Sequence, residues 1–161
     1  MANMACESKK SALFVCLGNI CRSVMAEQIL RELVEEKGTS DQWKIDSAAT
    51  ATYNIGNTPY DLTNETLTKH NSKPSSHKAR QISTQDFYDF HYIFGFDDDN
   101  MRQLKKRKPK ESTCELILLG DLDTDKSTNT IIDPYPGPIE AFETAYEQCY
   151  RCCKVFLSQA Q

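Results

Sequence analysis

A cysteine, an arginine and a serine lie close together in the segment VCLGNICRSVMAE, residues 15–27. Cys16 follows an apolar run, Arg22 comes six residues later, and Ser23 follows directly. A thiolate is the nucleophilic form of cysteine, and a guanidinium can hold two oxygens of a phosphate at once. These residue types at this spacing predict a loop that wraps a doubly charged oxyanion, which Cys16 attacks.

The charge of this segment differs from that of the whole chain. No Asp or Glu occurs between Leu13 and Ala26, although acidic residues outnumber Lys and Arg by 23 to 19 in the 161-residue chain. The net charge of −4 argues against a surface built to bind nucleic acid or an anionic membrane, either of which would call for a basic face. The predicted anion site is therefore local, and no nucleic-acid partner is expected.

Strands and helices alternate in the sequence around these residues. Apolar, β-prone runs predict strands at 12–17, 43–49, 91–96 and 114–120, and helical periodicity follows at 25–34, 59–70, from the third strand to about Lys108, and 142–156. This alternation predicts an α/β class, with a mainly parallel sheet. Ligands bind beyond the carboxyl ends of the strands in such sheets, and Cys16 lies at one such end.

The turn after the first strand is predicted to cradle the anion. Its backbone N–H groups would converge at the start of a helix near Ser23, with the positive end of the helix dipole behind them. We expect Gly18 to supply backbone angles closed to other residues, and Asn19 to adopt left-handed angles while its side chain braces the loop. In that field the thiolate of Cys16 is favoured over the thiol.

Length and cysteine content indicate the broad class of protein. The chain suits a single domain, residues 1–161, with residues 1–10 as a flexible N-terminal segment. Seven cysteines without regular spacing favour a reducing cytoplasm over a secreted disulfide framework. No apolar run approaches the roughly 20 residues of a membrane-spanning helix.

A second motif, DPYPG at 133–137, makes the chain resemble a known family. VCLGNICRS near the N-terminus together with this distant Asp-Pro is similar to the low-molecular-weight protein tyrosine phosphatases, and the resemblance runs over nearly the whole chain. It implies a single-domain Rossmann-like fold with a four-stranded parallel sheet flanked by helices. It further implies a phosphocysteine intermediate and neither a metal nor another cofactor.

The resemblance assigns roles to residues that match the family's motifs. Cys16 is the expected nucleophile, Arg22 the phosphate clamp, and Asp133 the general acid and then the base for water. The expected phosphate-binding loop consists of Leu17, Gly18, Asn19, Ile20, Cys21, Arg22 and Ser23.

Residues around the loop are assigned in the same way. Ser47 and His77 match positions that brace the loop through Asn19, and Tyr53 and Tyr135 match the aromatic walls of the cleft. Ile20 also faces the cleft, and because family members that act on phosphoarginine tend to have threonine there, it favours tyrosyl phosphate. Cys21 is expected to form a protective disulfide with Cys16 after oxidation.

The expected partners are phosphotyrosine-containing proteins or peptides, with inorganic phosphate as product and competitive inhibitor. Two departures from the family pattern are Val24, where a proline is usual, and Pro136, where many animal members have a second tyrosine. Alternatives remain open: an arsenate reductase with a similar cradle, or a phosphate-binding module without turnover. Three further thiols could be offered as metal ligands, although their common helix face favours core packing: Cys149, Cys152 and Cys153.

Overall fold

A computed structural model describes residues 9–160. Four strands and five helices alternate along this part of the chain. In order they are β1 Lys10–Cys16, α1 Arg22–Glu36, β2 Trp43–Ala49, α2 Asp61–Lys69, α3 Asp86–Asp89, β3 Tyr92–Gly95, α4 Asp98–Arg107, β4 Glu115–Leu118 and α5 Ile139–Gln159.

The four strands form one sheet in the order β2-β1-β3-β4, and every neighbouring pair is parallel. The predicted four-stranded parallel sheet flanked by helices is therefore confirmed. In the register between β1 and β2, Cys16 pairs with Ala49, so both strands end at the same edge. Because all strands point the same way, the loops that follow them meet at this edge.

Both faces of the sheet are covered, which explains the unbroken apolar run of β1. Ala12, Phe14 and Cys16 face a core shared with α1 and α5. Leu13 and Val15 face a second core on the side of α3 and α4. Burying each large aliphatic or aromatic side chain contributes about 1.5–3 kcal/mol, so the central strand is a rigid support for the residues at its end.

Helix α5 packs its apolar face into the first core. Its three cysteines, Cys149, Cys152 and Cys153, are fully buried there, and burial raises the pKa of each thiol, that of Cys152 to about 12. They therefore contribute apolar packing as neutral thiols.

Within residues 9–160, no helix combines the length and the apolar character needed to cross a membrane.

The start of the chain was expected to be a flexible segment, residues 1–10. Residues 1–8 of the expected N-terminal segment lie outside the described residues, whereas Lys10 is the first residue of β1. It pairs with Trp43 of β2, and its ammonium group lies 5.8 Å from the centre of the Trp43 ring and donates to the carbonyl of Ala160. The structure thus places Lys10, the last residue of the segment expected to be flexible, in the sheet.

Candidate active site

The loop between β1 and α1 turns its carbonyl groups away from its centre. Five of them accept hydrogen bonds from donors of the surrounding protein: Cys16 from Thr50 N, Leu17 from Ala51 N, Gly18 from Asn54 Nδ2, Ile20 from Tyr60 N and Thr63 Oγ1, and Cys21 from Met25 N. In a trans peptide the N–H of the next residue points opposite to the carbonyl. The N–H groups of the loop are therefore left facing inwards, where they can bind an anion.

Two small residues give the loop its shape for different reasons. Asn19 has a φ of 57°, in the left-handed region that asparagine tolerates, as the sequence predicted. The expectation for Gly18 was wrong, because Gly18 is not among the residues of positive φ. The space beside Gly18 is occupied instead: a Cβ there would lie 2.6 Å from Nδ2 of Asn54 and would displace the end of that side chain, which donates to the carbonyl of Gly18.

The side chain of Asn19 is fully buried and held at both ends. Its Oδ1 accepts from the backbone N–H of Arg80 at 3.1 Å and lies 2.8 Å from Nε2 of His77. Since a backbone N–H can only donate, the orientation of the amide is fixed. Its Nδ2 must then donate to Ser23 Oγ at 2.8 Å and to Ser47 Oγ at 2.9 Å. Asn19 thus ties the loop to β2 and to the 77–80 segment.

The same hydrogen bonds leave the hydroxyl of Ser23 able to donate to the sulfur of Cys16. The Oγ of Ser23 lies 3.0 Å from the Sγ of Cys16, and Ser23 is fully buried. Because Ser23 Oγ accepts from Asn19, its own hydrogen is free to point at a thiolate. The backbone N–H of Asn19 also donates to this sulfur, at 3.3 Å. The loop therefore stabilises a negative charge on Cys16 through two donors.

Behind the loop lies Glu27, the first acidic residue after the acid-free segment. It accepts from Ser47 Oγ at 2.5 Å and from Arg31 Nε at 2.9 Å. Its carboxylate, that of Asp46 and the ring of His77 each bring one ligand atom to within 4.8 Å of the others. The same carboxylates already accept from Ser47, Arg31 and Arg80, so this cluster is accounted for as a brace for the loop.

Arg22 begins α1 and is almost completely buried. Its Nη1 donates to Oδ2 of Asp97 at 2.7 Å and to the carbonyl of Ile131 at 2.9 Å, and its guanidinium carbon lies 5.7 Å from the centre of the Phe96 ring. Its Nη2 lies 3.8 Å from Oδ2 of Asp133. One nitrogen is thus anchored to protein, which leaves the other side of the fork for an oxyanion.

The charge on Arg22 is secure despite its burial. Burial alone would lower the pKa of Arg22, but the neighbouring charges of Cys16, Asp97 and Asp133 together raise it above its ordinary value. Asp97 is itself fixed, since its Oδ1 accepts from the N–H of Asn100 and caps α4. The cation is therefore available at every physiological pH.

These side chains line a cavity of about 220 Å³. Its lining consists of Cys16, Leu17, Gly18, Asn19, Ile20, Cys21, Arg22, Tyr53, Asn54, Asp133 and Tyr135. Of the residues predicted from the sequence, Ser23, Ser47 and His77 are the ones that do not line it. All three contact the side chain of Asn19, and Ser47 and His77 do so from outside the loop.

Two tyrosines form the upper part of the cavity and are about half exposed or more, at 67% for Tyr53 and 50% for Tyr135. Tyr135 packs edge-on against Tyr60 with ring centres 5.0 Å apart, and Tyr60 stacks on the buried Phe142 at 5.7 Å. One aromatic wall is therefore supported from the core, and its exposed face suits a flat aromatic group.

A family model described as low molecular weight phosphotyrosine protein phosphatase matches residues 11–161. The chain belongs to this family. It is 47% identical over 159 residues to the low molecular weight phosphotyrosine protein phosphatase of Pongo abelii, which covers 98% of this chain and 99% of that protein. Membership makes the chain an enzyme of the protein tyrosine phosphatase class.

Solved structures of the family have the same fold. The structure of Primo-1 is 42% identical, has a TM-score of 0.88, and covers 93% of this chain and 97% of its own. The structure of DARP, a drosophila arginine phosphatase, is 38% identical with a TM-score of 0.87 and the same coverage. The phosphatase fold is thus shared with a protein that is named as an arginine phosphatase.

Cys21 is the second thiol that lines the phosphate-binding loop, and its surroundings differ from those of Cys16. Burial raises the pKa of Cys21 to about 12, against a smaller lowering by the hydroxyl of Thr63. Cys21 is therefore a neutral thiol at physiological pH. It lines the same cavity as Cys16, and no disulfide joins cysteines within residues 9–160.

Four residues of the phosphatase site were missed by sequence reasoning: Glu27, Asn54, Arg80 and Asp97. Two of them had a readable signal. Glu27 is the acid that ends the acid-free segment, and Asp97 opens the run DDDN in a helix N-cap position. Asn54 and Arg80 carried no such signal, because they contact the loop from distant turns.

Proposed function

We propose that the chain hydrolyses phosphotyrosine, and small aryl phosphates, through a phosphocysteine intermediate on Cys16. The observation that carries the proposal is that Cys16, Arg22 and Asp133 line one cavity together with the inward-facing N–H groups of the loop. A nucleophile, a cationic clamp and a proton donor are the groups needed to move a phosphoryl group from oxygen to sulfur and on to water.

In the first step the thiolate of Cys16 attacks phosphorus. The S–P bond forms as the bond to the phenolic oxygen breaks, and Asp133 gives its proton to that oxygen. Arg22 and the loop N–H groups hold the non-bridging oxygens, where the charge of the transition state is concentrated. The products of this step are tyrosine and the phosphoenzyme.

In the second step the ionised Asp133 takes a proton from a water molecule, which attacks the phosphocysteine. The S–P bond breaks and the electron pair returns to sulfur, so inorganic phosphate and the thiolate are produced. Ser23, 3.0 Å from the sulfur, donates to the departing thiolate. Phosphate remains complementary to the loop, which makes it a competitive inhibitor.

The walls of the cavity support phosphotyrosine as the substrate. Tyr53 and Tyr135 offer aromatic faces to a phenyl ring, and Ile20 contributes an apolar side chain where the resemblance associates threonine with phosphoarginine. The expected partners are therefore proteins or peptides that carry phosphotyrosine. The test compares kcat/KM for otherwise identical phosphotyrosine, phosphoserine and phosphoarginine peptides. Preference for phosphoarginine would overturn the assignment of Ile20.

Two rival functions give different results with the purified protein. An arsenate reductase would consume thiol in the presence of arsenate, through cysteines that exchange disulfides in sequence. The raised pKa of Cys149, Cys152 and Cys153 disfavours such exchange, because the thiolate is the attacking form. A binding module would retain phosphotyrosine without releasing phosphate. Phosphate release without arsenate-dependent thiol consumption supports the phosphatase.

We also propose that Cys21 protects the nucleophile from irreversible oxidation. Peroxide oxidises the thiolate of Cys16 to sulfenic acid, and the thiol of Cys21 condenses with it to give a disulfide and water. Such regulation fits a reducing cytoplasm, where cellular thiols reduce the disulfide and return Cys16 to its active form. The six cysteines within residues 9–160 are free, in keeping with that compartment.

A further inference from the structure

An apolar rim surrounds the mouth of the cavity. It consists of Leu17, Tyr53, Ile55, Ile132 and Tyr135, five of the seven large hydrophobic side chains that are exposed within residues 9–160. Leu17, Tyr53 and Tyr135 line the cavity itself. Ile55 and Ile132 adjoin lining residues in the chain and are 56% and 74% exposed. Scattered exposed hydrophobic residues are ordinary, whereas their concentration around one opening marks a contact surface.

The charge of the rim is as informative as its apolar content. Segments 51–60 and 127–138 form its two sides, and the one charged residue they hold between them is Asp133. Charged residues make up 26% of the whole chain. Apart from Asp133, which the proposed mechanism uses, two loops of this composition offer no ion-pair partner for acidic or basic groups on a ligand, and they would leave such groups near uncharged surface.

Chain connectivity determines what covers the rim once a substrate is bound. A phosphotyrosine whose phosphate reaches the loop places its own backbone at the cavity mouth, and its sequence neighbours follow at about 3.8 Å per residue. Ile55 and Ile132 are each one residue from the lining residues Asn54 and Asp133, and they belong to two different loops. The side chains next to the phosphotyrosine must therefore lie over the rim.

We propose that the rim selects phosphotyrosine sites that are flanked by uncharged apolar residues, with Ile55 and Ile132 as the specificity-determining side chains. This inference rests on the phosphatase activity proposed above. Each flanking side chain that packs on an isoleucine removes apolar surface from water on both partners. A charged side chain at the same place gains no ion pair and loses hydration.

The test measures kcat/KM for peptides that differ only at the residues before and after phosphotyrosine, which are Leu, Ser, Asp or Lys. We expect the Leu-flanked peptide to exceed the Ser-flanked peptide by about tenfold, and the charged peptides to be the poorest. In Ile55→Ser and Ile132→Ser the Leu-to-Ser ratio should fall towards one. Tyr88→Ser is the matched control, since Tyr88 is 51% exposed outside the rim, and it should keep the parental ratio.

Several outcomes would overturn the proposal. Acidic or basic flanks that equal or exceed Leu would refute the chemistry, and a ratio unchanged in both isoleucine variants would refute the residues. Sedimentation that reveals a dimer of the parent enzyme, dissociated by Ile132→Ser without a change in ratio, would assign the rim to a second copy instead. Equal hydrolysis of all four peptides would refute the selectivity of the rim and leave the phosphatase function standing. Failure to hydrolyse any phosphotyrosine peptide would refute the phosphatase function itself.

Discussion

The Oγ of Ser23 lies 3.0 Å from the Sγ of Cys16, and the Nδ2 of Asn19 lies 2.8 Å from the same oxygen. The serine hydroxyl accepts from Asn19 and keeps its own hydrogen, and because a thiolate can only accept, that hydrogen is donated to the sulfur once Cys16 is ionised. This arrangement matters most when sulfur departs from phosphorus as an anion. We therefore expect Ser23 to stabilise the second chemical step, in which the thiolate departs, more than the first.

Ser23→Ala should slow breakdown of the phosphoenzyme. A hydrogen bond to a charged group contributes about 1.5–3 kcal/mol, which corresponds to roughly 10- to 100-fold in rate. Rapid mixing with an activated aryl phosphate should then reveal a burst of phenol equal to the enzyme concentration, followed by slow turnover. Ser40→Ala, an exposed serine before β2, serves as control. Slower turnover without a burst would assign Ser23 to the first step.

Asp133→Asn should make turnover depend steeply on the leaving group. The phenolate of tyrosine has a conjugate acid of pKa about 10 and leaves poorly unless it is protonated. We expect a loss on the order of 100-fold or more with phosphotyrosine, and a much smaller loss with an aryl phosphate whose leaving group is a stable anion. Asp41→Asn, an exposed carboxylate, is the control. Equal losses for both substrates would exclude Asp133 as the acid.

Cys21→Ser should make inactivation by peroxide less reversible. The parent enzyme traps sulfenic acid as a disulfide, so a thiol reductant should restore most of its activity. The variant lacks the second sulfur, and Cys16 proceeds to acids that thiols do not reduce. Recovery is measured after a fixed peroxide exposure, with Cys114→Ser as a buried thiol control. The protective role is wrong if both variants recover equally.

The pair formed by Asp86 and Arg80 should give a pH-dependent part of stability. Burial raises the pKa of Asp86, but hydrogen bonds from Arg80 and Ser83 outweigh it, and the folded-state pKa lies below the ordinary 3.8. The stabilisation is therefore present above pH 3.8 and is lost as pH falls through the lower folded value. The ion pair between Asp86 and Arg80 also supports the active site, since the backbone N–H of Arg80 donates to the side chain of Asn19.

Urea unfolding of Asp86→Asn checks this. The free energy of unfolding should fall by about 2 kcal/mol at pH 7 and by less near pH 3, where Asp86 of the unfolded chain is largely protonated and the difference between the two states shrinks. Glu65→Gln, on the exposed face of α2, should show no such pH dependence. An equal loss at both pH values would indicate a packing effect of the substitution rather than the ion pair.

The strands and the loop could be predicted because their signals are local. An apolar run, Asn19 at a left-handed position and Arg22 at a helix start all lie within a few residues of Cys16. The partners that fix these groups lie far away in the chain. Asp97 is 75 residues from Arg22, and His77 is 58 from Asn19. Residue types alone gave no reason to pair them before the order of the strands was known.

Gly18 shows a different limit of sequence reasoning. Glycine in a tight loop suggests a left-handed backbone, and that is the explanation most often correct. Here the atom nearest to an added Cβ is the Nδ2 of Asn54, which belongs to a turn 36 residues away and donates to the carbonyl of Gly18. Close approach between two loops depends on how both are placed by the sheet. A single sequence therefore shows that glycine stands at this position of the loop, but not which neighbouring atoms surround it.

The central claim is that the phosphoryl group passes through the sulfur of Cys16, and trapping the intermediate tests it most directly. Ser23→Ala, quenched in acid during turnover of an aryl phosphate, should contain up to one phosphoryl group per molecule, and peptide mass spectrometry should place it on Cys16 as a phosphothioester. The same experiment with Cys16→Ser should give neither phosphoenzyme nor turnover. Phosphate on any other residue, or turnover by the Cys16→Ser enzyme, would contradict the account.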